Sequence, residues 1–270
     1  MTNDHDERPR LLLLHGFLSG RAAWERVAGV LGDDVGIIAL DLLGYGEAPR
    51  PEAGYTLEDM IEALVPTIER EAPTHVVGHS MGGIVALALA NRFPEVFRGI
   101  GVVGLPVYGS REEALAYIQQ RGLAYRILLR SDRLAHAGCV TMHRLKPLWL
   151  PVAPLVARRH TPALLSSLFD HSEGSHVFGL EDVVFAGRAE QLADRTALPV
   201  AALHGTADRS APLPPVEELA RQHGWDLTVV RGAGHQVIVT QPRRTAAWIR
   251  RAVLPLDGAS RAPSAAHRVH

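Results

Sequence analysis

Short apolar runs alternate with amphipathic stretches along most of this chain. The apolar runs predict strands at 11–14, 35–40, 75–79, 99–103, 199–204 and 226–230. The amphipathic stretches predict helices at 21–31, 57–71 and 84–91; Thr56 with Asp59 three residues on predicts a capping box for the second, and Pro94 marks the end of the third. Strands that alternate with helices are typical of a parallel sheet, and we expect an α/β fold with about six parallel strands flanked by helices.

The pattern changes between residues 108 and 196, where helical segments at 111–130, 163–169 and 180–192 are broken by prolines. This stretch follows the predicted strand that ends near Gly104, so we expect an insertion that lies above the strand ends, where open α/β sheets bind ligands. We therefore expect a helical cap at 108–196 on a core formed by 1–107 and 197–256. The segment 257–270 is rich in Ala, Ser and Pro and predicts a disordered tail.

The sequence Gly78-His79-Ser80-Met81-Gly82 lies between a β-branched strand and a helix-forming stretch. This context predicts a nucleophile elbow, a turn so tight that Ser80 adopts a strained backbone and points its hydroxyl into a cleft. Gly78 and Gly82 have no Cβ to clash with the facing strand and helix. A G-x-S-x-G motif also occurs by chance, so the rest of the chain decides whether Ser80 is a nucleophile.

A second element is the run of four leucines that ends in His15-Gly16-Phe17. An acyl-transfer site needs two N–H groups that point at the developing oxyanion, one from the residue after the nucleophile and one from an early strand-to-helix loop. We predict that Met81 and Phe17 supply them. His15 lies at a strand end beside a glycine, where we expect it to brace the loop and not to act as the base.

Two late strands each end in a glycine-containing turn that carries an ionisable residue. Asp208 follows Gly205-Thr206-Ala207, and His235 follows Gly232-Ala233-Gly234. The order is serine, acid, histidine, as a triad requires if the imidazole takes the serine proton and the carboxylate fixes the imidazole tautomer. We predict that Ser80, Asp208 and His235 are the catalytic residues.

These motifs together resemble the α/β-hydrolase superfamily, and specifically its capped, single-domain, esterase-like branch, over roughly residues 10–255. The run Asp41-Leu42-Leu43-Gly44-Tyr45-Gly46 is also similar to the family's D-x-x-G-x-G loop, although this chain continues with Glu47-Ala48 where relatives usually have a serine. The resemblance implies the α/β-hydrolase fold with an inserted cap and a cofactor-independent serine hydrolase. Epoxide hydrolases and haloalkane dehalogenases in this family have Asp at the nucleophile position, which is Ser80 here.

Composition limits the classes of partner. The 270 residues are 47% hydrophobic and 21% charged, with a net charge of −1, which favours a soluble enzyme and gives no basic surface for nucleic acid or an anionic membrane. No signal peptide precedes the first strand, so we expect a cytoplasmic monomer or homodimer that acts on a small molecule. Cys139 is the only cysteine and no metal-ligand spacing occurs, so we expect no disulfide, no metal and no cofactor.

Apolar residues in the predicted cap exceed what short helices need for packing. We predict that Trp149, Phe169 and Phe178 contribute to a substrate pocket, although each of them can equally be cap core. The cap also holds five histidines, whose spacing does not suit a metal; of these, His171 and His176 lie near a predicted hinge at 173–175.

The predicted reaction is hydrolysis of a carboxylic ester, or a related acyl bond, of a small and largely apolar substrate. His235 deprotonates Ser80, Ser80 attacks the carbonyl, and water releases the acyl group. Thioesters and carbon–carbon bonds beside a ketone are alternative targets, although the relatives that cleave such carbon–carbon bonds typically have Asn in place of His79. A lyase or cyclase, or a receptor with little turnover, is an alternative of a different class.

Overall fold

We describe a computed structural model of the chain. It describes residues 8–120, 161–167, 170–172, 174–175, 179–186, 188–256 and 268–269, together with single residues and pairs between 134 and 151. In these parts the strands and helices alternate as the sequence pattern predicts. The sheet order is β2-β1-β3-β4-β5-β6-β7, and every neighbouring pair is parallel. The prediction of an α/β fold with a parallel sheet is confirmed.

The six main strands have five or six residues each. They are β1 (Arg10–Leu14), β2 (Gly36–Leu40), β3 (His75–His79), β4 (Gly99–Val103), β5 (Val200–Gly205) and β6 (Asp226–Val230). A seventh strand of two residues, β7 (Arg268–Val269), pairs with β6 at the edge of the sheet. It belongs to the segment that we predicted to be a disordered tail, and 257–267 lie outside the described residues.

The helices follow the strands with small shifts in their bounds. They are α1 (Glu25–Leu31), α2 (Leu57–Glu71), α3 (Met81–Arg92), α4 (Arg111–Gln119), α5 (Pro162–Ser167), α6 (Arg188–Arg195), α7 (Leu213–His223), α8 (Val237–Thr240) and α9 (Pro242–Trp248). A 3₁₀ turn at Arg21–Trp24 opens the first predicted helix, and the stretch predicted as one helix at 180–192 is a π-helical turn at Gly179–Val184 followed by α6. The capping box of α2 is present: Asp59 N–H donates to the Thr56 hydroxyl and Thr56 N–H donates to the Asp59 carboxylate.

The continuous leucine run of β1 is explained by burial on both faces of the sheet. Leu11 to Leu14 have no exposed surface. Leu12 and Leu14 pack into a core that includes α2 and α3, whereas Leu11 and Leu13 pack into a second core on the opposite face with Trp24 and Trp248. A strand covered by helices on both sides has no polar face, because successive side chains point to opposite sides.

The order of strands fixes where a site can form. The chain runs from β1 outward to β2 and then returns to β3 on the other side of β1, so the carboxyl ends of β1 and β3 border a crevice. Ligands bind in this crevice in open α/β sheets. The registers Leu14↔Gly78 and Gly205↔Val230 align the carboxyl ends of adjacent strands. The loops after β1, β3, β5 and β6 therefore emerge on the same edge.

The region between β4 and β5 is an insertion, as predicted, and its described residues within 170–175 contact the core at this edge. Gly46 N–H donates to the carbonyl of Asp170, and Ser172 N–H donates to the carbonyl of Gly44 at 2.7 Å. The Tyr45 hydroxyl donates to the carbonyl of Ser175. The insertion therefore returns to the sheet across the loop that follows β2.

Candidate active site

The turn after β3 has the geometry of a nucleophile elbow. Ser80 has φ 53° and ψ −121°, a left-handed region that L-residues rarely occupy, and its N–H donates to the carbonyl of Val103 at 2.8 Å. A Cβ at Gly78 would lie 2.0 Å from the carbonyl oxygen of Gly82. A Cβ at Gly82 would lie 2.5 Å from the carbonyl oxygen of His15. The turn therefore requires glycine at both positions, because the obstructing atoms belong to the backbone.

The loop after β1 packs directly against the serine. A Cβ at Gly16 would lie 3.1 Å from the Cβ of Ser80. His15 is fully buried; its Nδ1–H donates to the carbonyl of Gly16 at 2.8 Å, and its Nε2 accepts the N–H of Leu42 at 2.9 Å. Burial lowers the pKa of His15, which fits this neutral tautomer. The expectation that His15 braces the loop is confirmed.

Phe17 follows β1 and Met81 follows Ser80 at the end of β3, so both belong to the loops that leave the carboxyl ends of these two strands. Phe17 lines a cavity that also exposes Ser80. Met81 is the first residue of α3, so its N–H has no acceptor within the helix. The arrangement suits two main-chain donors that point at one oxyanion, and the roles of Phe17 and Met81 remain predictions.

The predicted acid and histidine are hydrogen-bonded to each other. His235 Nδ1–H donates to Asp208 Oδ2 at 2.8 Å, although the two residues follow different strands. Asp208 Oδ1 accepts the N–H groups of Ser210 at 2.7 Å and Ala211 at 2.9 Å, which orient the carboxylate. Burial opposes the charge on Asp208, but the hydrogen bond and the charge of His235 and the N–H of Ala211 hold the pKa of this carboxyl below its usual range. The carboxylate is thus ionised and faces the imidazole.

Glycines allow these loops to approach one another. Gly104, which follows β4, has φ 57°, and a Cβ there would lie 3.3 Å from Nδ1 of His235 and 3.4 Å from Oδ2 of Asp208. A Cβ at Gly205 would lie 2.2 Å from the carbonyl oxygen of Ala233. The Asp208–His235 pair therefore depends on close backbone packing around it.

Sequence reasoning missed three side chains that contact the loops of Asp208 and His235. His79 Nε2–H donates to the carbonyl of His235 at 2.9 Å. The Tyr117 hydroxyl, on α4, donates to the carbonyl of Asp208 at 2.7 Å, and the Tyr108 hydroxyl donates to the carbonyl of Ser210. The sequence held a signal for His79, since it is a polar residue at the end of an apolar strand, β3. The two tyrosines gave none, because their partners lie 91 and 102 residues further along the chain.

A cavity of about 280 Å³ opens in front of Ser80 and His235. Its described lining is mostly apolar, from the loop after β1, the segment after β4 and the inserted region: Phe17, Leu18, Pro106, Tyr108, Ile118, Leu180 and Val184. Ser210 and Gln236 add uncharged polar groups, and His79 beside Ser80 also lines the cavity. Trp149, Phe169 and Phe178, which we predicted as substrate contacts, lie outside the described residues, as does His176.

His171 is described and does not line this cavity. It is buried and forms an antiparallel backbone bridge with Tyr45, whose ring lies 6.3 Å from its own. The loop that carries Tyr45 closes on Asp41, whose carboxylate accepts the N–H groups of Arg21 and Glu47. Glu47, which replaces the usual serine, thus contributes a main-chain donor. Gly46 has φ 50° and no room for a Cβ beside Asp41.

No helix among the described residues is long and apolar enough to cross a membrane. In the same part of the chain, no three His, Cys, Asp or Glu side chains are grouped so that they could hold a metal ion.

A family model described as "Alpha/beta hydrolase family" matches residues 11–248. The chain belongs to this family. The match covers the six main strands of the sheet and the insertion, and it confirms the resemblance drawn from the motifs.

Among curated proteins, the chain is similar to a pimeloyl-[acyl-carrier protein] methyl ester esterase of Aromatoleum aromaticum, 31% identical over 90% of this chain and 97% of that protein. It also matches two probable lysophospholipases of Arabidopsis thaliana. BODYGUARD 4 is 34% identical over 38% of this chain and 26% of its own length, and BODYGUARD 5 is 21% identical over 86% of this chain and 59% of its own length. The chain thus spans between a quarter and three fifths of these plant proteins.

Solved structures agree on the fold. The E-2-(acetamidomethylene)succinate hydrolase has a TM-score of 0.68 with 20% identity, over 90% of this chain and 91% of that one. A thermophilic esterase from Thermogutta terrifontis has a TM-score of 0.66 with 22% identity, over 90% and 88%. The family member described here is therefore a hydrolase-fold protein whose curated relatives include esterases.

Proposed function

We propose that the protein is a serine hydrolase that cleaves carboxylic esters of small, largely apolar substrates through an acyl-enzyme on Ser80. One observation carries the proposal: a buried, ionised Asp208 is oriented by two N–H groups and accepts the Nδ1–H of His235, and His235 lines the same cavity as the strained Ser80. This tautomer leaves Nε2 of His235 without a proton, so it can accept one.

The chemistry follows from these positions. His235 Nε2 takes the hydroxyl proton as Ser80 Oγ bonds to the carbonyl carbon, and the N–H groups of Met81 and Phe17 stabilise the oxyanion. The C–O bond to the alcohol breaks, and His235 returns the proton to the departing oxygen. Water then gives a proton to His235 and attacks the acyl carbon. The bond between this carbon and Ser80 Oγ breaks, His235 returns the proton to Oγ, and the acid is released. The carboxylate of Asp208 stabilises the imidazolium in both halves.

The lining of the cavity supports a neutral substrate. Apart from histidine, the side chains described around it are uncharged, and a charged acyl or alcohol group would lose hydration without gaining a partner. A space of about 280 Å³ suits a short or medium acyl chain or a small ring. The esterase activity named for the Aromatoleum aromaticum relative is compatible with this class.

The test is covalent labelling with a fluorophosphonate, read as intact-protein mass, followed by hydrolysis of p-nitrophenyl esters of increasing acyl length. We expect one adduct on the wild type and none on Ser80→Ala. His235→Ala should label at least ~10³-fold more slowly. Ser175→Ala is the control, since Ser175 is buried but lies outside the described cavity lining, and it should label like the wild type.

Hydrolysis by Ser80→Ala at the wild-type rate would refute the assignment of Ser80 as the nucleophile. If the natural substrate is a thioester or has a carbon–carbon bond beside a ketone, the enzyme should hydrolyse such compounds faster than esters. The fluorophosphonate adduct would be unchanged. A lyase or cyclase would give products without ¹⁸O from labelled water. A receptor would hold a ligand under conditions in which no product forms.

A further inference from the structure

His79, the residue between Gly78 and Ser80, occupies a position for which the proposed reaction gives no reason. It is 1% exposed, and its Nε2 lies 2.9 Å from the carbonyl oxygen of His235, 156 residues further along the chain. The two imidazole rings are 4.8 Å apart between centroids and inclined at 47°. The residue beside the serine thus contacts the main chain of the histidine.

The hydrogen bond fixes the chemical state of the His79 ring. A carbonyl oxygen only accepts, so Nε2 of His79 carries the proton and donates it. Nδ1 is buried and has no hydrogen-bond partner among the residues that the structure describes. A second proton on Nδ1 would therefore be buried without an acceptor, which is costly. Burial and the neighbouring His235 lower the pKa of His79 to about 3, so the ring is neutral at ordinary pH.

The same ring also fills space beside the oxyanion loop. A Cβ at Gly16 would lie 2.9 Å from Nδ1 of His79 and 3.1 Å from the Cβ of Ser80. The imidazole of His79 is thus enclosed by the loop after β1 on one side and the loop after β6 on the other. Its own backbone leads directly into the nucleophile.

This contact complements the one that Asp208 makes. The carboxylate holds the side chain of His235 through Nδ1, whereas His79 holds its main chain through the carbonyl oxygen. The adjoining turn is anchored further back, where Ala207 N–H donates to the carbonyl of Ala233 at 2.9 Å. A hydrogen bond to the side chain and another to the main chain of the same residue limit both the position and the tilt of a ring. A small displacement of a catalytic group lowers the reaction rate by a large factor.

We propose that His79 is a positioning residue for the base: its neutral imidazole donates to the carbonyl of His235 and sets the distance between the elbow and the histidine loop. This inference rests on the proposed function only in calling His235 the base. The contact joins two protein groups and is present without substrate, so it can be measured without turnover.

The chain offers a matched control at the opposite end of the same strand. His75, the first residue of β3, is also buried, and its Nε2 lies 3.1 Å from the carbonyl oxygen of Leu256. It makes the same kind of hydrogen bond to a segment that is remote in sequence. It lies one strand length, five residues, from the serine, at the edge of the sheet away from the cavity.

The experiment compares His79→Phe, His79→Gln and His75→Phe with the wild type. Phenylalanine keeps a ring and removes the donor, whereas the amide nitrogen of glutamine is as many bonds from Cα as Nε2 of histidine and restores it. We measure the rate of fluorophosphonate labelling, kcat and KM for a p-nitrophenyl ester, and the downfield proton resonance of the Asp208–His235 hydrogen bond. Rates are taken where each variant is fully folded by circular dichroism, and His79→Leu replaces His79→Phe if the latter does not fold.

We expect His79→Phe to lower the labelling rate and kcat by about 10- to 100-fold, with KM within about threefold, and to weaken or shift the downfield resonance. His79→Gln should recover to within about fivefold of the wild type. His75→Phe should lose stability but keep the rate and the resonance.

Wild-type rates and an unchanged resonance in His79→Phe would overturn the inference. An equal loss in His75→Phe would also overturn it, because the effect would then be general destabilisation of β3. Failure of the proposed function has a different signature, since the wild type itself would give no adduct on Ser80.

Discussion

The two ends of the parallel sheet are built from similar residues but under different constraints. At the amino end, ordinary contacts close the edge: Arg10 pairs with Glu71, Thr74 N–H donates to the carbonyl of Arg10, and His75 donates to Leu256. At the carboxyl end, Ser80 and Gly104 have positive φ, and buried ionisable side chains contact one another. Ala72, shortly before β3 at the amino end, also has a positive φ of 40°, so left-handed backbone occurs at both ends. The buried ionisable groups that contact one another lie at the edge that holds the cavity, as is typical of functional sites.

The comparison teaches that burial of a polar residue does not by itself indicate function. Asp226 begins β6 and Asp208 follows β5, and each has a buried carboxylate oxygen. Only Asp208 is oriented toward a histidine that lines a cavity. Variants made in pairs, one at each end, separate chemistry from stability.

The largest difference in kcat within a pair is expected between Asp208→Asn and Asp226→Asn. Asparagine at 208 cannot stabilise the imidazolium and favours the wrong tautomer of His235, so kcat should fall by about 10⁴-fold. Asparagine at 226 should leave kcat within about twofold. Ester hydrolysis measured on both folded proteins checks this, and equal losses would show that Asp208 acts only through stability.

A second pair compares glycines. A Cβ at Gly78 meets the backbone of Gly82 at 2.0 Å, whereas a Cβ at Gly99, the first residue of β4, meets the side chain of Leu256 at 2.4 Å. Gly78→Ala should therefore cost at least about 4 kcal/mol of unfolding free energy or prevent folding. Gly99→Ala should cost less, about 1–3 kcal/mol, because the obstructing atom is Cβ of Leu256, whose segment follows the last helix and can shift, whereas the elbow is held between β3 and α3. Urea denaturation of both variants measures these losses of unfolding free energy. Equal losses would mean that the backbone at the elbow adjusts to a Cβ as easily as the structure around Gly99.

The buried histidines at the carboxyl end of the sheet should also make the free energy of unfolding depend on pH in the acid range. Burial lowers the pKa values of His15, His79 and His204, and for His79 the value falls from 6.5 to about 3. Below pH 6.5 the unfolded chain therefore binds more protons than the folded one, and stability falls as pH falls. For His79 alone the loss is about 1.4 kcal/mol per pH unit, or about 2 kcal/mol at pH 5.

His79→Gln tests this directly, because glutamine does not titrate. The difference in unfolding free energy between pH 7.5 and pH 5 should shrink by about 2 kcal/mol relative to the wild type. The groups that face His79 are His15, Asp208 and His235, and they remain in the variant. An unchanged difference would mean that the pKa of His79 is the same in the folded and the unfolded protein.

A smaller effect is expected where the inserted region contacts the acid loop. Tyr117→Phe removes the hydrogen bond to the carbonyl of Asp208 and should cost about 1 kcal/mol of stability and lower kcat by about two- to tenfold. Hydrolysis and thermal unfolding of the variant measure both. A change in stability with no change in kcat would show that α4 is only packed on the loop and does not help to place Asp208.

The smallest effect on activity is expected far from the cavity. Thr56→Ala breaks the capping box of α2 and should cost about 1 kcal/mol of unfolding free energy. The rate of ester hydrolysis should be unchanged, since α2 does not contribute to the described cavity lining. A clear loss of rate would connect this helix to the site and contradict the separation of the two ends.

The sequence by itself was enough for features that depend on local pattern. The leucines of β1 have no polar alternation, which identifies a strand buried on both faces, and Thr56 with Asp59 identifies the start of α2. Gly78 and Gly82 around Ser80 indicate a turn in which backbone atoms approach too closely for a Cβ. Each of these signals lies within a few residues, where sterics and hydrogen bonding act directly along the chain.

The tertiary structure alone decided the contacts between distant segments. Asp208 and His235 are 27 residues apart, and their pairing depends on the parallel register of β5 and β6. The contact of His79 with His235 crosses 156 residues, and that of Tyr117 with Asp208 crosses 91. No local pattern encodes such contacts, because they arise from the order of strands in the sheet and from the path of the insertion across its carboxyl edge.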